Sequence, residues 1–282
     1  MFTFILIPIL IIAPVAILLY YFWVRDKWQR EPWSLIFKLF GLGCVAVIPA
    51  AIIELIIPGN RLVLDGIPEA MFSAFIGVSL VEESVKYIFT YFFTFRSRHF
   101  NEEYDGIVYG VSVGLGFAFL ENILYVASAV FFDQAPIAIA IQRALTAVPV
   151  HALNGVIMGF FIGRAHFERN PSRRLFINFQ GLLYAVLIHG LYDFFIFTVP
   201  SLPSNIVTWA IIGIFSIMAI QWAIALALTK TASDRSESQT INRLDIRFGH
   251  HPTRHRPRFC RTCGHPLTGS GRFCKHCGNP IE

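Results

Sequence analysis

Seven ionisable side chains stand inside runs that are otherwise apolar: Glu82, Glu83 and Lys86 in the segment VEESVKY, then Glu121, His151, His189 and Asp193. At roughly 2.5 to 3.5 kcal/mol for each charged residue at the centre of a membrane helix, the four carboxylates and Lys86 together cost on the order of 15 kcal/mol. That rivals the net stability of a whole domain. They must be paired, neutralised, metal-bound or placed in a polar cavity, and each outcome requires convergence. Peptide hydrolysis needs an activated water, a base for its proton and an electrophile for the developing oxyanion. Two arrangements of these residue types supply that. In one, histidines and a glutamate hold a catalytic Zn²⁺ while a second glutamate takes the proton. In the other no metal is needed: a desolvated glutamate is the base and imidazoles hold the oxyanion. Other protease signatures are missing, with no HExxH, no Gly-x-Gly-Asp and no serine elbow flanked by glycines.

The elements that carry these groups must sit in lipid. Of 282 residues 55% are hydrophobic, 15% are charged and 28 are Phe, a load that a soluble domain could not hide. A hydrocarbon core needs about 20 apolar residues per helix, and seven stretches qualify, near 2–24, 33–57, 68–95, 105–132, 137–163, 175–199 and 205–228. The expected fold is thus an all-α polytopic membrane protein of about seven transmembrane helices. The first stretch lacks a basic start and a small-residue cleavage site, so it reads as a retained helix. Loops after helices 1, 3 and 5 carry Arg25, Lys27, Arg30, Arg96, Arg98, Arg164, Arg169, Arg173 and Arg174, whereas those after helices 2, 4 and 6 carry only Arg61. This split predicts an outside N-terminus and a cytoplasmic tail, and it explains the net charge of +5 without nucleic acid.

Counted from the expected outer ends, Glu82, Glu121, His151 and His189 all lie about 10 to 14 residues in, a slab roughly 6 Å thick at about 1.5 Å per residue. His151 shares a stripe with Gly155, Gly159 and Gly163, and Glu121 lies beyond the stripe of Gly106, Gly110 and Gly114, so the polar groups point where helices pack closely. Taken singly, each has a plain structural reading: Glu82 with Lys86 as an ion pair, a histidine as an interhelical hydrogen-bonder, Asp193 as the orienter of His189. Lys38, Glu54, Glu69, Asp105 and Arg143 lie near helix ends, where interfacial water suffices, and Cys44 reads as an apolar filler. The coincidence of depth is what points to a site.

After residue 228 the composition turns polar and basic, and 229–258 reads as a flexible linker without helical or strand periodicity. Residues 259–282 follow as a small module with Cys260-x2-Cys263 and Cys274-x2-Cys277, each pair followed by glycine. Four thiolates at this spacing predict a closed structural Zn²⁺ site, a zinc ribbon suited to docking a cytoplasmic partner and not to catalysis.

Glu82-Glu83-x-x-Lys86, Phe117-x-x-x-Glu121-Asn122, the central His151 and His189-x-x-x-Asp193 resemble, in order and spacing, the motifs of the PrsW family of intramembrane proteases. The loop from Asp26 to Pro32 is similar to that family's Asp…Glu-Pro segment. The resemblance covers roughly residues 20 to 200 and leaves the zinc ribbon as an addition. It implies a membrane-embedded protease, distantly akin to the CAAX prenyl protease and bacteriocin-processing group, acting on membrane-anchored substrates such as an anti-sigma factor. It also implies that loss of Glu82, Glu83 or His151 abolishes activity, with Glu121 and His189 beside them. On this reading Glu82 or Glu83 is the base and Lys86 neutralises the other. Glu121, His151 and His189 bind a metal or the oxyanion, and Asp193 supports them. The competing classes are a proton- or ion-coupled transporter, for which no repeat is visible, and a non-catalytic receptor with the ribbon as its docking head.

Overall fold

A computed structural model of the chain describes residues 2–57, 66–199, 202–247, 258–259 and 266–267. The chain divides into two compact units, Met1–Ser238 and Gln239–Glu282. Among the described residues the first unit is entirely helical. Its elements are α1 (Phe2–Val24), α2 (Trp33–Ile56), α3 (Ile67–Phe72), α4 (Leu80–Thr94), α5 (Glu103–Phe131), α6 (Pro136–Leu145), α7 (Ala147–Phe167), α8 (Pro171–Thr198) and α9, which starts at Ser204 and is helical to Arg247. Counting α6 with α7, six helical columns among the described residues are long and apolar enough to cross a membrane. A seventh column is built from α3, a π-helical stretch Ser73–Ser79 and α4, which follow one another with αR backbone at each junction. This column carries Glu82, Glu83 and Lys86.

Two local departures from the expected spans matter for the site. The stretch expected as one helix over 137–163 is broken at Thr146, whose φ of -122° and ψ of -65° separate α6 from α7. The π-helical stretch lies immediately before Glu82, and it docks on α8 through Ser79, whose hydroxyl donates to the Val186 carbonyl at 2.6 Å. A π segment inside a helix often marks a functional site, because it re-aims the side chains that follow.

The centre of the bundle is α5 against α7, and small residues set their distance. A methyl group on Gly155 would meet the Gly110 carbonyl oxygen at 2.6 Å, and Gly106, Gly110 and Gly114 face Gly163, Gly159, Gly155 and the His151 backbone in antiparallel order. Such contact brings backbones together without a hydrophobic driving force, as lipid-embedded helices require. On the far side of α5, Gly116 meets the backbone of Phe40 and Gly43 that of Val113, which fastens α2. Cys44 fits this seam, its thiol 3.1 Å from the Gly116 carbonyl. Outward faces carry bare apolar side chains such as Leu55, Phe92 and Trp209.

The polar stretch after Leu228, expected as a flexible linker, is helical as far as Arg247. Its first part packs on the bundle. Ala225, Thr229, Ala232 and Ser236 form a buried stripe, Ser236 Oγ accepts from the Tyr104 amide at 3.2 Å, and Arg235 pairs with Glu103 at 3.1 Å. Small and hydroxylated residues make this stripe, so an apolar period does not reveal it, and the compact unit ends at Ser238. In the second unit Arg258–Phe259 and Pro266–Leu267 form a two-stranded antiparallel pair. Cys260, Cys263, Cys274 and Cys277 lie outside the described residues.

Candidate active site

The π-helical stretch delivers the chain into α4, whose first turn carries Glu82 and Glu83, with Lys86 one turn on and all three buried. Lys86 is the hub. Its ammonium donates to Glu82 Oε2 at 2.9 Å and to Glu83 Oε1 at 2.8 Å, and it lies 2.9 Å from His151 Nδ1. An ammonium has no lone pair, so His151 Nδ1 accepts and the ring proton is assigned to Nε2. That nitrogen donates to Glu121 Oε2 at 2.8 Å. Arg143, from α6, reaches the same carboxylate oxygen at 2.9 Å and donates to Asn122 Oδ1 at 2.6 Å.

His189, from α8, closes the ring of groups. Its Nδ1 lies 2.8 Å from Glu83 Oε1, and its Nε2 lies 3.3 Å from Asp193 Oδ2 and 3.9 Å from Glu82 Oε2. The two imidazoles meet edge to face with centroids 5.2 Å apart. Beneath them Asn154 approaches Glu83 Oε1 at 3.4 Å, and Gln221 of α9 donates to Asn154 Oδ1 at 2.8 Å. All seven residues singled out from the sequence are therefore brought to one place, by α4, α5, α7 and α8. Arg143, Asn154 and Gln221 join them unforeseen. Arg143 reads from the sequence as a helix-end residue, because the break at Thr146 leaves no mark there. The two amides carry no charge to flag them, although Asn154 sits one helical turn beyond His151.

A cavity of about 300 Å³ opens beside this cluster. Its lining includes Glu82, Glu121, Arg143, His151, His189 and Asp193, with α6 forming one wall, whereas Glu83 is absent from it. The two adjacent glutamates thus differ: Glu82 faces space for a reactant, and Glu83 is enclosed by Lys86, His189 and Asn154.

A family model described as "PrsW family intramembrane metalloprotease" matches residues 31–228, and these include every residue of the cluster. The chain belongs to the PrsW family. It is an intramembrane peptidase embedded in the lipid bilayer, which replaces the transporter and receptor readings. A protein named Protease PrsW from Geobacillus kaustophilus is 36% identical over 231 residues, 82% of this chain and 93% of its own. Proteins of the same name from Bacillus subtilis and Clostridioides difficile are 39% and 32% identical, over 65% and 78% of this chain and 79% and 89% of their own lengths. No solved structure matches the chain.

The metal implied by the PrsW family description fits the residues present. Ligand atoms from Glu82, Glu83, His151 and His189 all lie within 4.8 Å of one another, and Glu83 Oε2 is buried without a hydrogen-bond partner. Four carboxylates gather here against two fixed cations, Lys86 and Arg143, so the chamber has an excess of negative charge that a dication would balance. Glu121 falls outside that set of four, since its carboxylate lies on the other side of the His151 ring. Its position is that of a carboxylate orienting a metal-binding histidine. Lys86 contacts three of the four candidate ligands, so it must give up His151 Nδ1 before that nitrogen can ligate.

Proposed function

We propose that the chamber hydrolyses a peptide bond in a membrane-anchored protein, with Glu82 as the general base. The observation that carries this reading is the convergence of Glu82, Glu83, His151 and His189 at the edge of a cavity that Glu82 lines and Glu83 does not. A substrate segment enters beside α6, and a water in the cavity attacks its carbonyl carbon. Glu82 accepts the water proton and returns it to the leaving amine, so that acid and amine products balance. Glu83, His151 and His189 are the residues that would hold a divalent metal, for which Zn²⁺ suits the nitrogen and oxygen donors. When bound, such an ion polarises the carbonyl and acidifies water. Lys86 holds the two glutamates apart in role and offsets their charge. Glu121, itself fixed by Arg143, keeps the His151 ring in the tautomer whose Nδ1 lone pair faces the chamber. Asp193 orients His189.

The basic loops support a cytoplasmic face at the α1–α2, α4–α5 and α7–α8 connections, with the chamber open toward the opposite leaflet. The four C-terminal cysteines, at a spacing suited to one structural Zn²⁺, form on this reading a cytoplasmic docking module. The deciding experiment incubates purified protein in detergent with single-span membrane substrates. Cleavage by wild type and its loss in Glu82→Gln and His151→Ala is the expected result. Cleavage undiminished in both variants would remove the chamber from the chemistry.

A further inference from the structure

A second group of acids is buried away from the chamber, where the α1–α2 loop meets the start of α5. Asp26, Glu102 and Asp105 are each 0% exposed, Glu31 is 2% exposed, and oxygens of the first three lie within 4.8 Å of one another. From Asp105 to Glu121 the path along α5 is about 24 Å at about 1.5 Å per residue, so this group is separate from the proteolytic site and its reading does not rest on that site.

The local charge is poorly answered by protein groups. Among the described residues no Lys or Arg pairs with the carboxylates of Asp26, Glu31 or Asp105. Arg30, in the same loop, gives its guanidinium to the backbone carbonyls of Asp26 and Val24. His99 Nδ1 stands 3.9 Å from Glu31 Oε2, and Tyr109 donates to Glu31 Oε1 at 2.8 Å. The Asn101 and Glu102 amides donate to Asp105 Oδ2 at 2.7 and 2.8 Å, while on its other side Asp105 faces the Glu31 carboxyl. The Glu102 carboxyl and the amides of Glu31, Gln29 and Trp28 approach Asp26, yet neither Asp26 oxygen meets them in good hydrogen-bonding geometry. The start of α5 offers about half a positive charge, enough to offset part of one carboxylate. Burial pushes the Asp26 carboxyl up, and it pushes Glu31 to about 7 against the pull of the Tyr109 hydrogen bond. A buried carboxylate whose poorly satisfied oxygens converge with those of two other acids calls for a shared proton or a cation.

We propose that Asp26, Glu102 and Asp105 form a second metal site, taking a hard divalent cation such as Ca²⁺, Mg²⁺ or Mn²⁺, which ties the α1–α2 loop to the start of α5. The donor set is all oxygen, with no imidazole or thiolate, and that chemistry selects hard ions over zinc. Glu31 lies beside Asp105 and adds to the negative field without being required as a ligand.

The test titrates Mn²⁺ into the full, metal-stripped protein in detergent and counts bound ion by electron paramagnetic resonance. Wild type, a His151→Ala/His189→Ala double variant, and that double variant carrying Asp26→Asn or Asp105→Asn are compared. The expected result is one bound Mn²⁺ that persists in the double variant, is displaced by Ca²⁺ or Mg²⁺, and is weakened at least tenfold by either Asp→Asn change. The melting temperature of the double variant rises with the ion, and that of the double variant carrying Asp26→Asn does not. Where Asp26→Asn fails to fold, Asp105→Asn, which keeps the oxygen that caps α5, serves in its place. Absence of bound Mn²⁺ in the double variant would show that the acids share protons only and overturn the site. Binding unaffected by both Asp→Asn changes would overturn it as well.

Discussion

Adjacent residues on a helix point about 100° apart, which turns Glu82 toward the cavity and Glu83 away from it and is the ground for the separate tasks proposed for them. Glu82→Gln keeps the shape but cannot accept a proton, so cleavage of a single-span substrate should fall by about 10²- to 10⁴-fold with the melting temperature nearly unchanged. Activity within tenfold of wild type would show that the base is another residue. Arg143 contacts Glu121, which contacts His151, and on the proposed mechanism it acts at one remove on the orientation of that ring. Arg143→Gln and Glu121→Gln should each lower activity by about 10- to 100-fold, the usual cost of disturbing the group behind a metal-binding histidine. Metal affinity should fall alongside, and an unchanged affinity with lowered activity would instead place Arg143 in substrate contact.

At the level of elements, the α5–α7 seam holds His151 and Glu121 in register. Gly155→Val would drive side-chain carbons into the Gly110 backbone, which cannot give way as a flexible side chain could. A loss of roughly 1 to 3 kcal/mol or more is expected, read as a lower melting temperature in detergent. An unchanged melting temperature would mean that the helices are not in backbone contact there. The α9 extension supplies a second element-scale prediction. A chain ending at Ser238 keeps the stripe of Thr229, Ala232 and Ser236 and the Arg235 pair with Glu103, whereas one ending at Leu228 loses them all. The longer chain should match the full protein in thermal stability and the shorter should melt earlier; equal stability of the two would deny the docking of α9 on α5.

For the whole molecule, orientation is set by charge between the helices, which a labelling experiment reads directly. With the native cysteines replaced, a cysteine at the exposed position Ala135 should react with a membrane-impermeant thiol reagent in intact cells, and one at Arg98 only after permeabilisation. The reverse pattern would invert the assignment and put the chamber's mouth at the cytoplasmic leaflet. Metal content belongs to this scale too. The chain ended at Ser238 carries none of the four C-terminal cysteines, so a transition metal retained by it and lost in His151→Ala marks the chamber. A stoichiometry near zero would leave a glutamate-based mechanism and remove the metal-assisted one.

Lipid as solvent made much of this protein legible in its sequence, because each span must be apolar for about 20 residues and every ionisable group inside it stands out at once. Glu82, Glu83, Lys86, Glu121, His151, His189 and Asp193 were visible for that reason, as was their common depth. Tertiary structure alone decided what each of them faces. The π-helical stretch before Glu82 and the break at Thr146 leave no compositional mark, yet they turn Glu82 toward the cavity and bring Arg143 onto Glu121. Likewise the helical course of α9 beyond Leu228 depends on burial of small and hydroxylated residues against α5, and the meeting of Asp26 with Asp105 on folding of a loop against a helix end. Hydropathy records how each residue meets lipid, and these features depend instead on how residues distant in the chain meet one another.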